Sequence, residues 1–277
     1  MRRNRRSHCL FGVVLAIVIL AAAAAVQAQT SPAPAPSPSP TPSLEHEFFK
    51  NILRDQKAIW TAPLHVERSD AKWMIPSGIG FMALVTTDRI TGDEIGEASR
   101  QDKASQVISY AGSVYGLTAV AATFYLVGRE KHNYRARETG LLVTEAMIDS
   151  LIVEGALKGI TQRARPAGGV ERSEFFDGGS SFPSGHSTQA WAVATVIAHE
   201  YKDRPVVQFA AYGVASAVSV ARFTGHKHYL SDVLAGSALG WGIGRYVYGA
   251  HHRQTPMITL QFNRATHQYG AGLTWSF

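Results

Sequence analysis

Three short stretches hold the residues whose types and spacing could do chemistry. The first runs from Lys158 to Arg165-Pro166, the second is Ser181 to His186 (SFPSGH), and the third runs from Arg222 through His228 to Asp232. Together they offer three fixed positive charges (Lys158, Arg165, Arg222), two imidazoles (His186, His228), a carboxylate four residues after the second imidazole, and a Ser184-Gly185 turn. That inventory suits a tetrahedral oxyanion. Fixed cations stabilise the charge that a phosphoryl group spreads over its oxygens during transfer, and Arg222 adds a planar fork for bidentate contact. Pro183-Ser184-Gly185-His186 stands directly before an apolar run. This places it at a helix N-terminus, where free backbone N–H groups attract anions. Gly185 permits close backbone approach there, and Ser184 can donate its hydroxyl.

His228 and Asp232, at i and i+4, share a face if a helix starts between them. The carboxylate would then accept the Nδ1 proton, fix the tautomer and leave Nε2 as a nucleophile. His226 competes on composition, but its six-residue separation from Asp232 fits a helix less well. Lys158 and Arg165 lie seven apart, two helical turns, so both point to one side if the helix continues that far, with Pro166 then ending it. Taken singly, each residue has an ordinary reading as a solvated charge, a serine cap or a satisfied histidine. The weight lies in their combination.

The three stretches resemble the signature motifs of the type 2 phosphatidic acid phosphatase family, which also includes bacterial class A acid phosphatases and vanadium haloperoxidases. Lysine, six residues, then Arg-Pro is matched by Lys158 to Arg165-Pro166. Pro-Ser-Gly-His is matched by Pro183 to His186. Ser-Arg, five residues, His, three residues, Asp is matched by Arg222, His228 and Asp232, with Ala221 where serine usually stands. That departure removes one hydroxyl and touches no charged role. The resemblance covers about residues 100–250. It implies a helical bundle in which His228 attacks phosphorus, Asp232 orients it and His186 protonates the leaving oxygen. Lys158, Arg165, Ser184, Gly185 and Arg222 would hold the phosphate, with no cofactor and no metal. The implied substrates are lipid phosphates or soluble phosphomonoesters. Three other readings compete. One is a haloperoxidase holding vanadate in the same pocket, although known haloperoxidases of this family are much larger chains. Another is a non-enzymatic envelope protein binding a metal through His226, His228, Asp232, His251 and His252, which the basic neighbours Arg222, Lys227 and Arg253 disfavour. The third is an inactive scaffold, for which the filled charged positions give no support.

The elements that must position these residues can be read from the rest of the 277-residue chain, whose 45% hydrophobic content suffices for a sizeable core. Residues 1–28 combine four arginines, an apolar run from Cys9 to Val26 and a Val26-Gln27-Ala28 cleavage site, the pattern of a secretory signal. An uncleaved anchor is the alternative. Either way the chain is expected to be exported, to the periplasm or cell envelope. Of the 27 basic residues, four lie in that segment, which leaves 23 against 21 acids and no suggestion of a nucleic-acid partner. Cys9 is the only cysteine, so no intrachain disulfide can form.

Residues 29–43 alternate proline with small residues and read as an extended linker. Residues 44–103 read as an N-terminal helical extension, with Leu44, Phe48, Ile52 and Ile59 at helical spacing and a break at Pro63. Residues 104–250 form the phosphatase core. The fold class is therefore all-α, a bundle of about six core helices, with a short C-terminal β-hairpin over 251–277, where Ile258, Leu260, Phe262 and Ala271, Leu273, Trp275, Phe277 alternate. Gly236, Gly240 and Gly244 line one helical face and imply close helix packing. Ala104–Gly128 alone is long enough to cross a bilayer uncharged. Near-neutral overall hydropathy favours an exported globular bundle, with membrane association as its rival.

Overall fold

The computed structural model describes residues 44–93, 99–166, 174–252, 257–263 and 268–274. The expected signal (1–28) and linker (29–43) lie outside the described residues, as do Arg253, Trp275 and Phe277. Among the described residues eight α-helices follow one another: α1 (Leu44–Thr61), α2 (Ala71–Asp93), α3 (Ser99–Ala111), α4 (Val114–Glu130), α5 (Tyr134–Thr161), α6 (Gly185–Glu200), α7 (Pro205–Thr224) and α8 (Leu230–His252). Pro63 sits in a 3-10 turn, Ala62–His65, that ends α1.

Helix α6 is the hub. Nearly all of it is buried, and it packs on α8, α7 and α5. Its small side chains, among them Ser187, Thr188, Ala190, Ala192 and Ala194, let neighbouring backbones come close. The three glycines of α8 lie on this contact, as their spacing predicts. A methyl at Gly236 would stand 2.6 Å from the Ser184 carbonyl oxygen, and methyls at Gly240 and Gly244 would run into those of Thr188 and Ala192. The ridge fixes the start of α8 against the start of α6, where the Ser184 N–H donates to the Asp232 carbonyl at 3.0 Å. Gly240→Ala should therefore cost about 1–3 kcal/mol through overpacking, seen as a thermal midpoint several degrees lower. An unchanged midpoint would mean that these helices are not in contact. On the other side of α6, Leu117, Phe124, Leu142, Val143, Val196 and Val247 form the main core.

The uncharged run Ala104–Gly128 is not one span. It breaks at Gly112-Ser113 into α3 and α4, bent by 40°. Gly112 packs so tightly on Val218 of α7 that a Cβ would collide, and the Ser113 hydroxyl caps α4 by accepting from Gly116 N–H at 3.3 Å. Among the described residues the single helix long and apolar enough to cross a membrane is instead α7, with the bent α3–α4 pair as a second candidate. Outward-facing apolar side chains also crowd α2 (Trp73, Met74, Ile75, Ile79, Met82) and α7 (Val206, Phe209, Val220). After α8, strands β1 (Met257–Asn263) and β2 (Gln268–Thr274) pair antiparallel, with Ile258 opposite Leu273. Their side chains, and the packing of this hairpin on the bundle, lie outside the described residues.

Candidate active site

Helix α5 ends at Thr161, one turn earlier than the Lys158–Arg165 spacing suggests. Gln162 adopts the left-handed conformation (φ 43) and its N–H caps the Lys158 carbonyl at 3.0 Å. The chain therefore turns sharply. Arg163 goes into the core and Arg165 stays exposed, so Lys158 and Arg165 do not share a helix face. The loop that follows is laid along this turn by backbone bonds, from Phe176 N–H to Thr161 (2.8 Å), Gly179 N–H to Gln162 (2.9 Å) and Ser181 N–H to Arg163 (2.9 Å). It delivers Ser181, then Ser184 as the residue before α6, as the PSGH pattern predicts.

The sequence reading did not single out Arg163, yet it is the centre of the buried polar network. Its guanidinium, with no exposed surface, donates from Nη1 to Asp232 Oδ1 (2.6 Å) and Ser231 Oγ (2.7 Å), and from Nη2 to Asp88 Oδ2 (2.7 Å). The Phe175 and Tyr229 rings lie 4.7 and 4.5 Å from it. Asp88, on α2, also accepts the Ser231 N–H at 3.1 Å. A buried charge must be paired and hydrogen-bonded, and here one cation serves two carboxylates. The available signals were slight: a second arginine inside the first motif, and an acid ending the uncharged run Met74–Thr87.

Asp232 is fully committed by these bonds. Besides Arg163, it accepts the Ser181 hydroxyl at 2.5 Å and the Tyr229 N–H at 3.0 Å through Oδ2, the latter a side-chain cap on the first turn of α8. Burial works to raise its carboxyl, but His228, Arg163 and the Ser181 hydroxyl together hold it below the ordinary carboxylate range. His228 lies two residues before α8 rather than on its face. Its Nδ1 is 2.7 Å from the Ser181 carbonyl oxygen and 3.8 Å from Asp232 Oδ2. The expected direct Nδ1–Asp232 bond is thus replaced by one to a backbone carbonyl, with Asp232 next to it. A carbonyl can only accept, so Nδ1 carries the proton and Nε2 keeps its lone pair. Burial pushes this imidazole down against the pull of Asp232, which keeps it neutral. His226 stands apart in a left-handed conformation (φ 50), its buried Nε2 without a partner.

The remaining groups gather around His186, which follows Gly185 in the first turn of α6. Burial first, then the charges of Arg222, His228, Lys158 and Arg165, push His186 from its ordinary 6.5 down to about 3. Arg222 is half-buried, its Nε has no partner, and the charge of Arg165 acts on it. Arg165 itself reaches Ser180 Oγ at 3.3 Å. Lys158 Nζ lies 3.4 Å from Glu154 Oε1, and the same carboxylate packs on Gly185, where a Cβ would come within 2.5 Å of it. Ser184 is fully buried, its Oγ accepting from the Ser187 hydroxyl at 3.1 Å. Arg222, His228, Lys158 and Arg165 thus lie close enough for their charges to act on His186, with Ser184 and Gly185 directly before it in the chain. The five-residue metal set does not gather: Asp232 and His251 are nineteen residues apart on α8, about 28 Å along its axis.

The depressed His186 has a measurable consequence. Between pH 3 and 6.5 the unfolded chain binds a proton that the folded ring refuses, so the ligand-free protein loses stability as pH falls through that window. An oxyanion cancels the surrounding positive field and raises the ring again. Binding of sulfate, a tetrahedral oxyanion with no titratable proton of its own near pH 6, should take up protons, read as a calorimetric enthalpy that changes with buffer ionisation heat. His186→Ala should abolish the buffer dependence, and a buffer-independent enthalpy in the unmodified protein would contradict the arrangement.

Comparison with known proteins shows the family. The PAP2 superfamily matches residues 139–256, a segment holding all eight site residues predicted from sequence. Phosphatidylglycerophosphatase B of Bacillus subtilis is 31% identical over 141 residues, which are 45% of this chain and 67% of that protein. The chain belongs to the PAP2 superfamily. Lipid A 1-phosphatase of Porphyromonas gingivalis is 41% identical over 70 residues, 25% of this chain but only 16% of that protein. A PA-phosphatase related-family protein of Dictyostelium discoideum is 29% identical, and the match spans about half of it (52%). Among solved structures, a transmembrane PAP2 type phosphatidylglycerolphosphate phosphatase from Bacillus subtilis superposes with a TM-score of 0.51 at 23% identity, over 75% of this chain and 95% of that one. This likeness gives the PAP2 helical fold.

Proposed function

We propose that the chain is a membrane-associated phosphatase that removes phosphate from lipid phosphate esters through a phosphohistidine intermediate. The observation that carries the reading is that His228 is held through Nδ1 on the Ser181 carbonyl at 2.7 Å beside the Arg163-paired Asp232, leaving Nε2 free to attack, with the charges of Lys158, Arg165 and Arg222 acting on the neighbouring His186. In the proposed sequence, phosphate enters between Arg222, Arg165 and Lys158, assisted by the amides at the start of α6. His228 Nε2 forms a bond to phosphorus as the ester oxygen leaves, and His186 donates the proton that oxygen needs. Asp232 and the Ser181 carbonyl hold the His228 ring and stabilise its charge. His186, now neutral, takes a proton from water, whose oxygen displaces Nε2 and releases phosphate. The chain's own cations neutralise the phosphate, so turnover should persist in EDTA while vanadate inhibits.

The lipid class is supported by the lipid A 1-phosphatase and phosphatidylglycerophosphatase among the relatives and by the apolar exteriors of α2 and α7, the first of which joins the site through Asp88. A signal over residues 1–28, a linker over 29–43 and an envelope location complete the reading. The test compares a lipid phosphate in detergent micelles with p-nitrophenyl phosphate. Burial of two acyl methylenes is worth about 1.6 kcal/mol, more than tenfold, so kcat/KM should favour the lipid by at least that factor despite its poorer leaving group. A preference for the soluble ester would point to a phosphomonoesterase instead.

A further inference from the structure

At the far end of the bundle from the phosphate site, α1, α5 and α8 bring Asp55, Glu145 and His251 together. One ligand-capable atom from each lies within 4.8 Å of the others, and His251 Nε2 is 2.7 Å from Glu145 Oε1. Glu145 precedes Lys158 by thirteen residues on α5, about 20 Å along the helix, so the two sites are separate.

A second observation points to a ligand. Asp149, one turn beyond Glu145, has no exposed surface, and its Oδ2 has no hydrogen-bond partner. It is not one of the three, yet its Oδ1 accepts from the amide of Gln56, the residue after Asp55, at 2.8 Å, which ties it to their side. Asp55 Oδ2 is likewise buried without a partner. Three buried carboxylates thus lie together; the half-exposed Arg54 (Nε at 3.3 Å) and the Tyr246 hydroxyl (3.3 Å) reach Asp55 Oδ1, and the Gln56 amide donates to Asp149 Oδ1 at 2.8 Å. Buried carboxylate oxygens without a donor, Oδ2 of Asp55 and of Asp149, must take up protons or face a cation.

We infer that Asp55, Glu145 and His251 bind one divalent first-row cation, Zn2+ or Mn2+, with Asp149 as an outer carboxylate. One imidazole with carboxylate oxygens is a donor set these ions accept. Ligands at about 2.1 Å in tetrahedral array stand about 3.4 Å apart, so the three side chains need to draw in by little over an ångström. The cation would tie α1 to α5 and α8, a structural role away from the phosphate.

The test uses the full chain in detergent, stripped with EDTA, freed of chelator and titrated with ZnCl2 or MnCl2. One equivalent should bind and raise the thermal midpoint. His251→Ala and Asp55→Asn should each weaken binding by at least about 100-fold and remove the thermal shift. His228→Ala, in the phosphate site, should bind metal normally, so the two sites fail or succeed separately. If the variants do not fold, X-ray absorption at the zinc edge of the unmodified protein reads the ligands directly: one imidazole among oxygens is expected. No saturable binding tighter than about 10⁻⁴ M, binding that survives both substitutions, or a spectrum with two or more imidazoles would overturn the assignment, the first leaving a proton-sharing carboxyl cluster.

Discussion

His228→Ala is expected to lower turnover of any phosphate ester by on the order of 10⁴ or more, while KM changes by far less. The geometry gives the reason. With Nδ1–H held by the Ser181 carbonyl at 2.7 Å, Nε2 is the lone pair the site offers. The cations would still bind phosphate in the variant, so vanadate affinity should persist. The companion variant His186→Ala separates the roles. A general acid contributes about 10²–10⁴, and its contribution grows as the leaving group becomes more basic. The defect in kcat/KM, which reports phosphoryl transfer to His228 and not the later water attack, should therefore be large for an alkyl phosphate and small for p-nitrophenyl phosphate, whereas His228→Ala should impair both alike. Equal losses for both esters in the two variants would remove the division of labour. If His228→Ala kept full activity, the nucleophile would have to be sought elsewhere, with His226 the next imidazole to test.

The second large effect concerns stability. Arg163→Met removes the guanidinium from between Asp88 and Asp232, neither of which has appreciable exposed surface. Breaking a buried pair from one side costs about 3–5 kcal/mol because the remaining charge stays uncompensated, which for a chain of this size is about 10 °C or more in thermal midpoint. The pH dependence has a definite sign. In the unmodified protein Asp232 is held below its ordinary 3.8, so its contribution is complete above that value and is lost as pH falls through the lower folded value. In the variant the bereaved carboxylates prefer protons, so the gap between the two proteins should narrow on acidification. Adding Asp88→Asn to Arg163→Met should restore part of the loss. Additive losses in that double variant would show that the three side chains do not act as a unit.

Motif spacing made much of the chemistry legible because the reacting side chains sit where short local structures begin. PSGH opens α6, and the glycine face of α8 meets α6 as a period of four requires. Arg163 and Asp88 were not legible for a physical reason. They lie 75 residues apart and become partners only when α2 docks on the loop after α5. The helical reading of Lys158 and Arg165 failed at Gln162, whose left-handed turn is set by the demand to bury Arg163, a tertiary requirement. For His228 the spacing to Asp232 suggested a direct bond, but the carboxylate is filled by Arg163, the Ser181 hydroxyl and the Tyr229 amide, so a backbone carbonyl takes the Nδ1 proton. The break in Ala104–Gly128 was written in Gly112-Ser113, although only its packing on Val218 makes it a bend.

The phosphohistidine itself is the most direct object to measure. Rapid acid-free denaturation of the protein during turnover of a labelled phosphate ester, followed by peptide mapping at alkaline pH, should find the label on the peptide containing His228, absent from His228→Ala and accumulating in His186→Ala when water attack slows. Label on a different residue, or product released in a single turnover with no label trapped at any time, would contradict covalent catalysis by His228.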